Sequence, residues 1–299
     1  MIRESHETEK LKRSKERMAF LFISPALIIL ALTSVFPAFY SIVMSFFNWN
    51  WGKRMDFVGL ENYINYLTDL TFWKILGQTL YFTVGAVILE FIIGFALALI
   101  INRIKFGLGI FRTLLLLPLM VSGIIVSMIW KVMLDPTLGI VNYLMSQVGL
   151  PKLVWFGSKA TAMPSIILID IWWQTAFIFI VLSAGLRSLP LEPFEAAEVD
   201  GANAFQKFFF LTLPMLKPVI MVVLIFRTID CLRVFALIFG TTGGGPVQVT
   251  ESIETFAYRT AFRFREMSQA MTLSVIFSII IIVICLIYLK IGKSESASE

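Results

Sequence analysis

Histidine is all but missing from this sequence: His6 is the only one among 299 residues, and it lies in a polar N-terminal stretch. That excludes a Ser-His-Asp triad or a histidine-held zinc inside the apolar runs. Cysteine is nearly as scarce. Cys231 and Cys285 both fall within apolar runs, which argues against a disulfide between them and leaves the redox compartment open. Charge is sparse as well. Only 15% of residues are charged, against about 25% in a soluble globule. Hydrophobic residues reach 58%, so composition alone places the chain among membrane proteins. The net charge of +5 does not point to nucleic acid, because the basic residues gather at the edges of apolar runs, where they anchor a membrane protein.

What is present is a series of apolar runs. A spanning helix needs about 20 mostly apolar residues. Six runs meet this: Met18–Phe47, Ile75–Ile101, Ile110–Leu134, Ala162–Leu186, Leu216–Phe239 and Gln269–Leu289. The first is too long for the core of a signal peptide and reads as a retained span. Arg3, Lys10, Lys12, Arg13, Lys15 and Arg17 precede it. Arg103, Lys105 and Arg112 follow the second run with no acid among them. The positive-inside rule puts both stretches in the cytoplasm. Six spans then leave both termini cytoplasmic, together with the link around 195–218. Arg259, Arg263 and Arg265 run against this bias, since they fall in a link assigned outside. Residues 1–17 read as a basic tail, 18–290 as an all-α domain of six transmembrane helices, and 291–299 as a second tail. Gly292-Lys293-Ser294 matches the end of a phosphate loop. Ile287 stands where that motif needs its first glycine, so ATP hydrolysis by this chain is not expected.

The link between the fourth and fifth runs, 188–217, is far from a plain connection. Pro190 and Pro193 end the preceding helix. Glu195-Ala196-Ala197-Glu198 is a good helix start with acids at the positive end of the dipole. Gly201 permits a sharp bend. Ala202–Leu211 reads as a second short helix, with Phe205, Phe208 and Phe209 on one face. Interfacial helices that lie on lipid favour Lys and Arg on their polar face. This link opens with Glu192, Glu195, Glu198 and Asp200, which suit a basic protein surface better than an anionic leaflet.

Glu195-Ala196-Ala197, then Gly201, then Leu211 and Leu213-Pro214 together resemble the EAA loop of binding-protein-dependent ABC importer permeases. Thr242-Gly243-Gly244-Gly245-Pro246 looks like the carbohydrate-uptake branch, and Gly59-Leu60-Glu61-Asn62-Tyr63 resembles a segment of the maltose- and glycerol-phosphate-type permeases. The resemblance covers nearly the whole chain. It implies a type I ABC importer permease fold in a prokaryotic cell membrane, with a cytoplasmic coupling helix seated in a groove of an ATPase. It also implies a second homologous permease subunit, two ATPase subunits, and an extracytoplasmic binding protein that delivers a sugar. ATP and Mg would be used by the partner ATPase, with no cofactor bound by this chain. In that setting Gly201 sets the bend, Phe205, Phe208 and Phe209 fill the groove, and Glu195 meets an arginine of the ATPase.

Ionisable groups within lipid are costly and each asks for a reason. Asp170, Trp173, Gln174 and Phe177 share one helical stripe, with Trp172 beside it. Aromatics, acids and amides suit a sugar's apolar faces and hydroxyl rim, and ordinary helix packing is the competing reading. The resemblance favours the pocket, because this stretch lines the sugar path in the maltose-type subunit. Arg227, Asp230 and Arg233 follow at spacings of three, which fits either intrahelical pairing or a place along the path. Glu90 is a candidate partner for Arg227. A stand-alone, ion-driven secondary transporter would show matched breaks in two halves; none is evident. An intramembrane enzyme would need a set of ligands that the histidine count disfavours.

Overall fold

The computed structural model describes residues 18, 20–50, 54–103 and 107–296. The expected basic tail and Lys105 lie outside them. Helix α1 runs over Phe20–Met44. A two-residue hairpin pairs β1 (Phe47–Asn48) antiparallel to β2 (Asp56–Phe57). Then come α2 (Glu61–Thr68), α3 (Leu70–Arg103), α4 (Leu108–Leu116), α5 (Gly123–Met133), α6 (Ile140–Gln147) and α7 (Ala162–Ser188). The second half holds α8 (Glu192–Val199), α9 (Ala204–Lys207), α10 (Leu213–Leu232), α11 (Ala236–Thr241), α12 (Ile253–Tyr258) and α13 (Met267–Ser296).

Five stretches among the described residues are long and apolar enough to cross a membrane: Phe20–Met44, Leu70–Asn102, Ala162–Ser188, Ala204–Thr241 and Met267–Gly292. The expected third span, Ile110–Leu134, is not a continuous helix. It divides into α4 and α5 around a 3₁₀ turn at Pro118–Met120. Pro118 has no N–H to give to the preceding turn, and Val121 and Ser122 then run extended before α5 restarts. The six-helix count is therefore corrected to five long spans and one broken segment. Two ends move as well. The first helix stops at Met44, short of Phe47, which pairs in β1. The last helix runs on to Ser296, through residues expected to form a tail.

Close packing of α3 on α7 organises the body. A β-carbon on Gly94 would lie 2.9 Å from Ile178, and one on Gly85 would lie 3.0 Å from Ile167. Small residues here let two long helices approach, as they do between helices in lipid. Three apolar clusters follow along the bundle. One joins Phe82, Val126, Ile166 and Leu237; another joins Phe72, Leu232, Ile253 and Phe277; the third joins Phe95, Phe179, Leu182, Leu216 and Val223.

The Gly59–Tyr63 segment has a structural use. Buried Asn62 donates through Nδ2 to Ser45 O at 2.8 Å and Phe47 O at 2.9 Å, and its Oδ1 accepts from Gln269 Nε2 at 2.8 Å. One side chain thus ties the end of α1 to the start of α13. Removing it takes a donor from Phe47 O and the acceptor from Gln269 Nε2, at about 1–3 kcal/mol, while Ser45 O keeps the Thr272 hydroxyl at 3.2 Å. Asn62→Ala is expected to lower the thermal midpoint of the detergent-solubilised protein; an unchanged midpoint would show that the tie is dispensable.

Candidate functional site

Two features stand out: a helical knuckle between α7 and α10, and a buried ionic cluster in the bundle.

The knuckle is α8, a bend at Gly201, and α9. Pro193 sits in the first turn of α8, where its missing N–H has no helical partner to lose. The helix closes by Ala202 N donating to Ala197 O at 2.8 Å, with Gly201 at φ +79°. That left-handed backbone is what requires glycine, because a β-carbon there would meet no other atom. Asn203 then caps α9: Asn203 and Gln206 each accept the other's backbone N–H, at 2.9 and 2.8 Å. Lys207 donates to Glu198 at 2.6 Å across the bend and holds that exposed carboxyl below its usual range.

Beyond α9 the chain makes a π turn over Phe208–Thr212. Pro214 has no N–H to give to Phe210 O, and the wider turn accommodates that loss. The extra residue shifts the phase of the phenylalanines. Phe205 and Phe209 remain exposed as expected. Phe208 turns inward and packs on Phe95, ring centroids 5.7 Å apart, within the lower core cluster. Phe210, not assigned by spacing, is 76% exposed. Of the phenylalanines in this link, Phe205, Phe209 and Phe210 are thus exposed, while Phe208 packs on the chain's own core. Glu195 and Ala196 are exposed, while Ala197 is half-buried. A stiff link with apolar tips at one end and a core-seated root at the other can carry force into α10.

The ionic cluster centres on Arg227, only 2% exposed. Its Nε donates to Glu90 Oε2 at 2.8 Å and its Nη2 to Glu90 Oε1 at 2.9 Å, a two-pronged bond from α10 to α3. Nη2 also donates to Asp170 Oδ2 on α7 at 3.0 Å, and Nη1 donates to Asp230. One guanidinium therefore bridges three helices. Glu90, Asp170 and Cys231 bring donor atoms close enough for a metal. Arg227 already bonds both carboxylates, and its Nη2 lies 3.1 Å from the Cys231 thiol. A cation is built into that position, so the cluster is not a metal centre.

The other sequence-assigned residues divide. Asp170 and Gln174 are buried, and Asp230 and Arg233 are exposed at their tips. Trp173 fills the break between α4 and α5: its indole N–H donates to Val121 O at 3.1 Å, and a β-carbon on Gly123 would lie 2.8 Å from its ring. Trp172 is 45% exposed and packs edge-on to Trp130. Phe177 packs against the lower cluster. Arg233 contacts Glu254 at 3.7 Å rather than Asp230. Thus the structure joins Asp170, Asp230 and Glu90 through Arg227 and leaves Trp172, Phe177 and Arg233 apart from them. Cys231 is a member that spacing did not suggest.

The glycine-rich turn at Thr242–Pro246 folds over buried Glu251. A β-carbon on Gly244, at φ +92°, would fall on the Glu251 carboxylate. Glu251 lies 2.7 Å from Arg259 in an ion contact without hydrogen-bond alignment. Burial raises its pKa, against the opposing charge of Arg259. Gly244→Ala must displace this carboxylate as well as strain the turn. Folded yield is expected to fall, and wild-type yield and thermal midpoint would contradict the packing described.

Long apolar helices, a buried charged interlock between three of them and a protruding knuckle describe a multi-pass membrane protein. The family described as binding-protein-dependent transport system inner membrane component matches residues 91–291. A trehalose/maltose transport system permease protein from Thermococcus litoralis is 34% identical, covering 96% of this chain and 97% of its own. A trehalose transport system permease protein from Mycobacterium tuberculosis is 30% identical, covering 96% and 93%. Among solved structures, a bacterial ABC transporter involved in import of the acidic polysaccharide alginate shares the fold, with a TM-score of 0.83 at 23% identity over 95% of this chain and 99% of that one. The chain belongs to the binding-protein-dependent transport system inner membrane component family.

Proposed function

We propose that this chain is one of two permease subunits of an ATP-driven sugar importer. The carrying observation is the knuckle: a capped helix–bend–helix whose exposed tips, Phe205, Phe209 and Phe210, lead through Phe208 into the core. It is the part that would seat in a partner ATPase, with Glu195 toward a basic residue of that partner. ATP and Mg would be used there, by two ATPase subunits. The chain itself would be a transport subunit with no cofactor of its own. Counting the broken segment, six crossings would keep both termini on the knuckle's side, the cytoplasm. A binding protein would deliver the cargo on the other side.

Support for a sugar comes from two of the relatives, described as trehalose/maltose and trehalose transport system permease proteins. Asp170, Gln174, Trp172, Trp173, Phe177, Asp230 and Arg233 are the residues we assign to the path. Asp230 and Trp172 offer the accessible polar and aromatic surface, and Asp170 and Trp173 hold the wall in place. Co-expression with the genomic neighbours tests the reading. Stoichiometric recovery with an ATPase and a second permease supports it. Ion-gradient-driven uptake by this chain alone in liposomes would replace it with a secondary transporter.

A further inference from the structure

Three arginines lie in the link on the side opposite the knuckle, where basic residues are disfavoured. One has an internal use: Arg259 donates to Gly243 O at 2.8 Å and contacts Glu251. Arg263 and Arg265 are exposed, and neither is paired with an acid among the described residues. Their neighbour Glu266 lines a different pocket, with Tyr66 and Asp69.

The membrane-spanning stretch through α10 and α11 ends at Thr241, and the next begins at Met267, directly after these arginines. By length and composition, Arg263 and Arg265 therefore adjoin the start of a spanning helix. There a groove of about 380 Å³ is lined by Phe239, Tyr258, Arg259, Phe262 and Arg263. Its aromatic rungs are in contact: Phe239 to Tyr258 at 5.3 Å and Tyr258 to Phe262 at 4.9 Å between centroids. Phe262 and Phe264 are 62% and 55% exposed, alternating with the two arginines. Aromatic rings favour the headgroup level, and a guanidinium fork matches a phosphate.

We propose that this groove with Arg263 and Arg265 holds an anionic phospholipid of the leaflet opposite the knuckle. An acyl chain lies along the Phe239–Tyr258–Phe262 rungs and the phosphate meets Arg263 in the groove, while Arg265, two residues on and outside the groove's lining, adds positive charge. The positive charge selects an anionic lipid over a zwitterionic one of the same chain length. An acidic protein surface is the competing occupant, and it would not need the aromatic groove.

Native mass spectrometry of the protein, purified with its co-expressed partners in micelles with equal phosphatidylglycerol and phosphatidylcholine, tests this. The unaltered protein should retain phosphatidylglycerol preferentially. Arg263→Gln/Arg265→Gln should lower that retention by about fivefold for each arginine, leaving phosphatidylcholine unchanged. Arg263→Gln alone should give the intermediate value, which guards against a misfolded double variant. No preference in the unaltered protein, or equal retention by the double variant, overturns the proposal. So does normal lipid retention with lost binding of a partner protein, which assigns the arginines to that protein. The measurement requires no transport, so its failure is separate from failure of the importer reading.

Discussion

Gly201→Val is expected to abolish substrate uptake while the protein still inserts and accumulates normally. The bend holds residue 201 at φ +79°. An L-residue in that region costs roughly 1–2 kcal/mol, and a β-branched one more. Nothing within 4 Å would touch the added β-carbon, so the penalty falls on backbone geometry alone. Such a penalty corresponds to about five- to thirtyfold in the population of the native bend. The bend relates α8 to α9 and aims the exposed phenylalanines. Its loss should disconnect the knuckle from its partner without disturbing the membrane bundle. Gly201→Asn, which tolerates the left-handed region, should keep most of the uptake. Glu195→Lys should also abolish it, because this exposed carboxylate is assigned to a basic residue across the interface. Normal uptake in both Gly201→Val and Glu195→Lys, at normal expression, would remove the coupling role.

Arg227→Met is the second large effect, and it acts on the fold. It leaves Glu90 and Asp170 buried with no counter-charge, a change that breaks a buried pair at about 3–5 kcal/mol. Folded, detergent-stable protein is expected to be largely lost. Neutralising the remaining partners, in Arg227→Met/Glu90→Gln/Asp170→Asn, should restore folded yield, since the penalty comes from unpaired charge rather than from volume. Size-exclusion profiles and thermal midpoints check both variants. An Arg227→Met protein as stable as the parent would mean that the three-helix interlock is not structural.

Much of this architecture was legible because lipid imposes it. Apolar length marks a span whatever its sequence, and Ala162–Leu186 and Gln269–Leu289 fall inside observed helices. The knuckle was legible through its punctuation: proline at 193, small residues and acids, glycine at 201. What was not legible depended on local backbone chemistry or on contacts distant in sequence. Pro118 breaks a run that is apolar enough to cross. A π turn precedes Pro214, and Phe208 packs inward rather than sharing the exposed face with Phe205 and Phe209, a departure that a regular helical period does not carry. Asn203 and Gln206 have the spacing of a capping box, a signal that the helix reading over 202–211 did not use. Spacing proposed Arg227 with Asp230, and the structure contains that pair. It could not show that Asp170, 57 residues away in sequence, shares the same guanidinium. Nor could it show that Trp173 donates to the carbonyl freed by the helix break.

The central claim is that force enters through the knuckle from a separate ATPase. A photo-crosslinking residue in place of Phe205, whose side chain is 78% exposed, tests it in intact membranes. The account expects a crosslinked product with the ATPase whose yield changes when ATP is bound. A product with lipid alone, or none at all in membranes that transport normally, would contradict it.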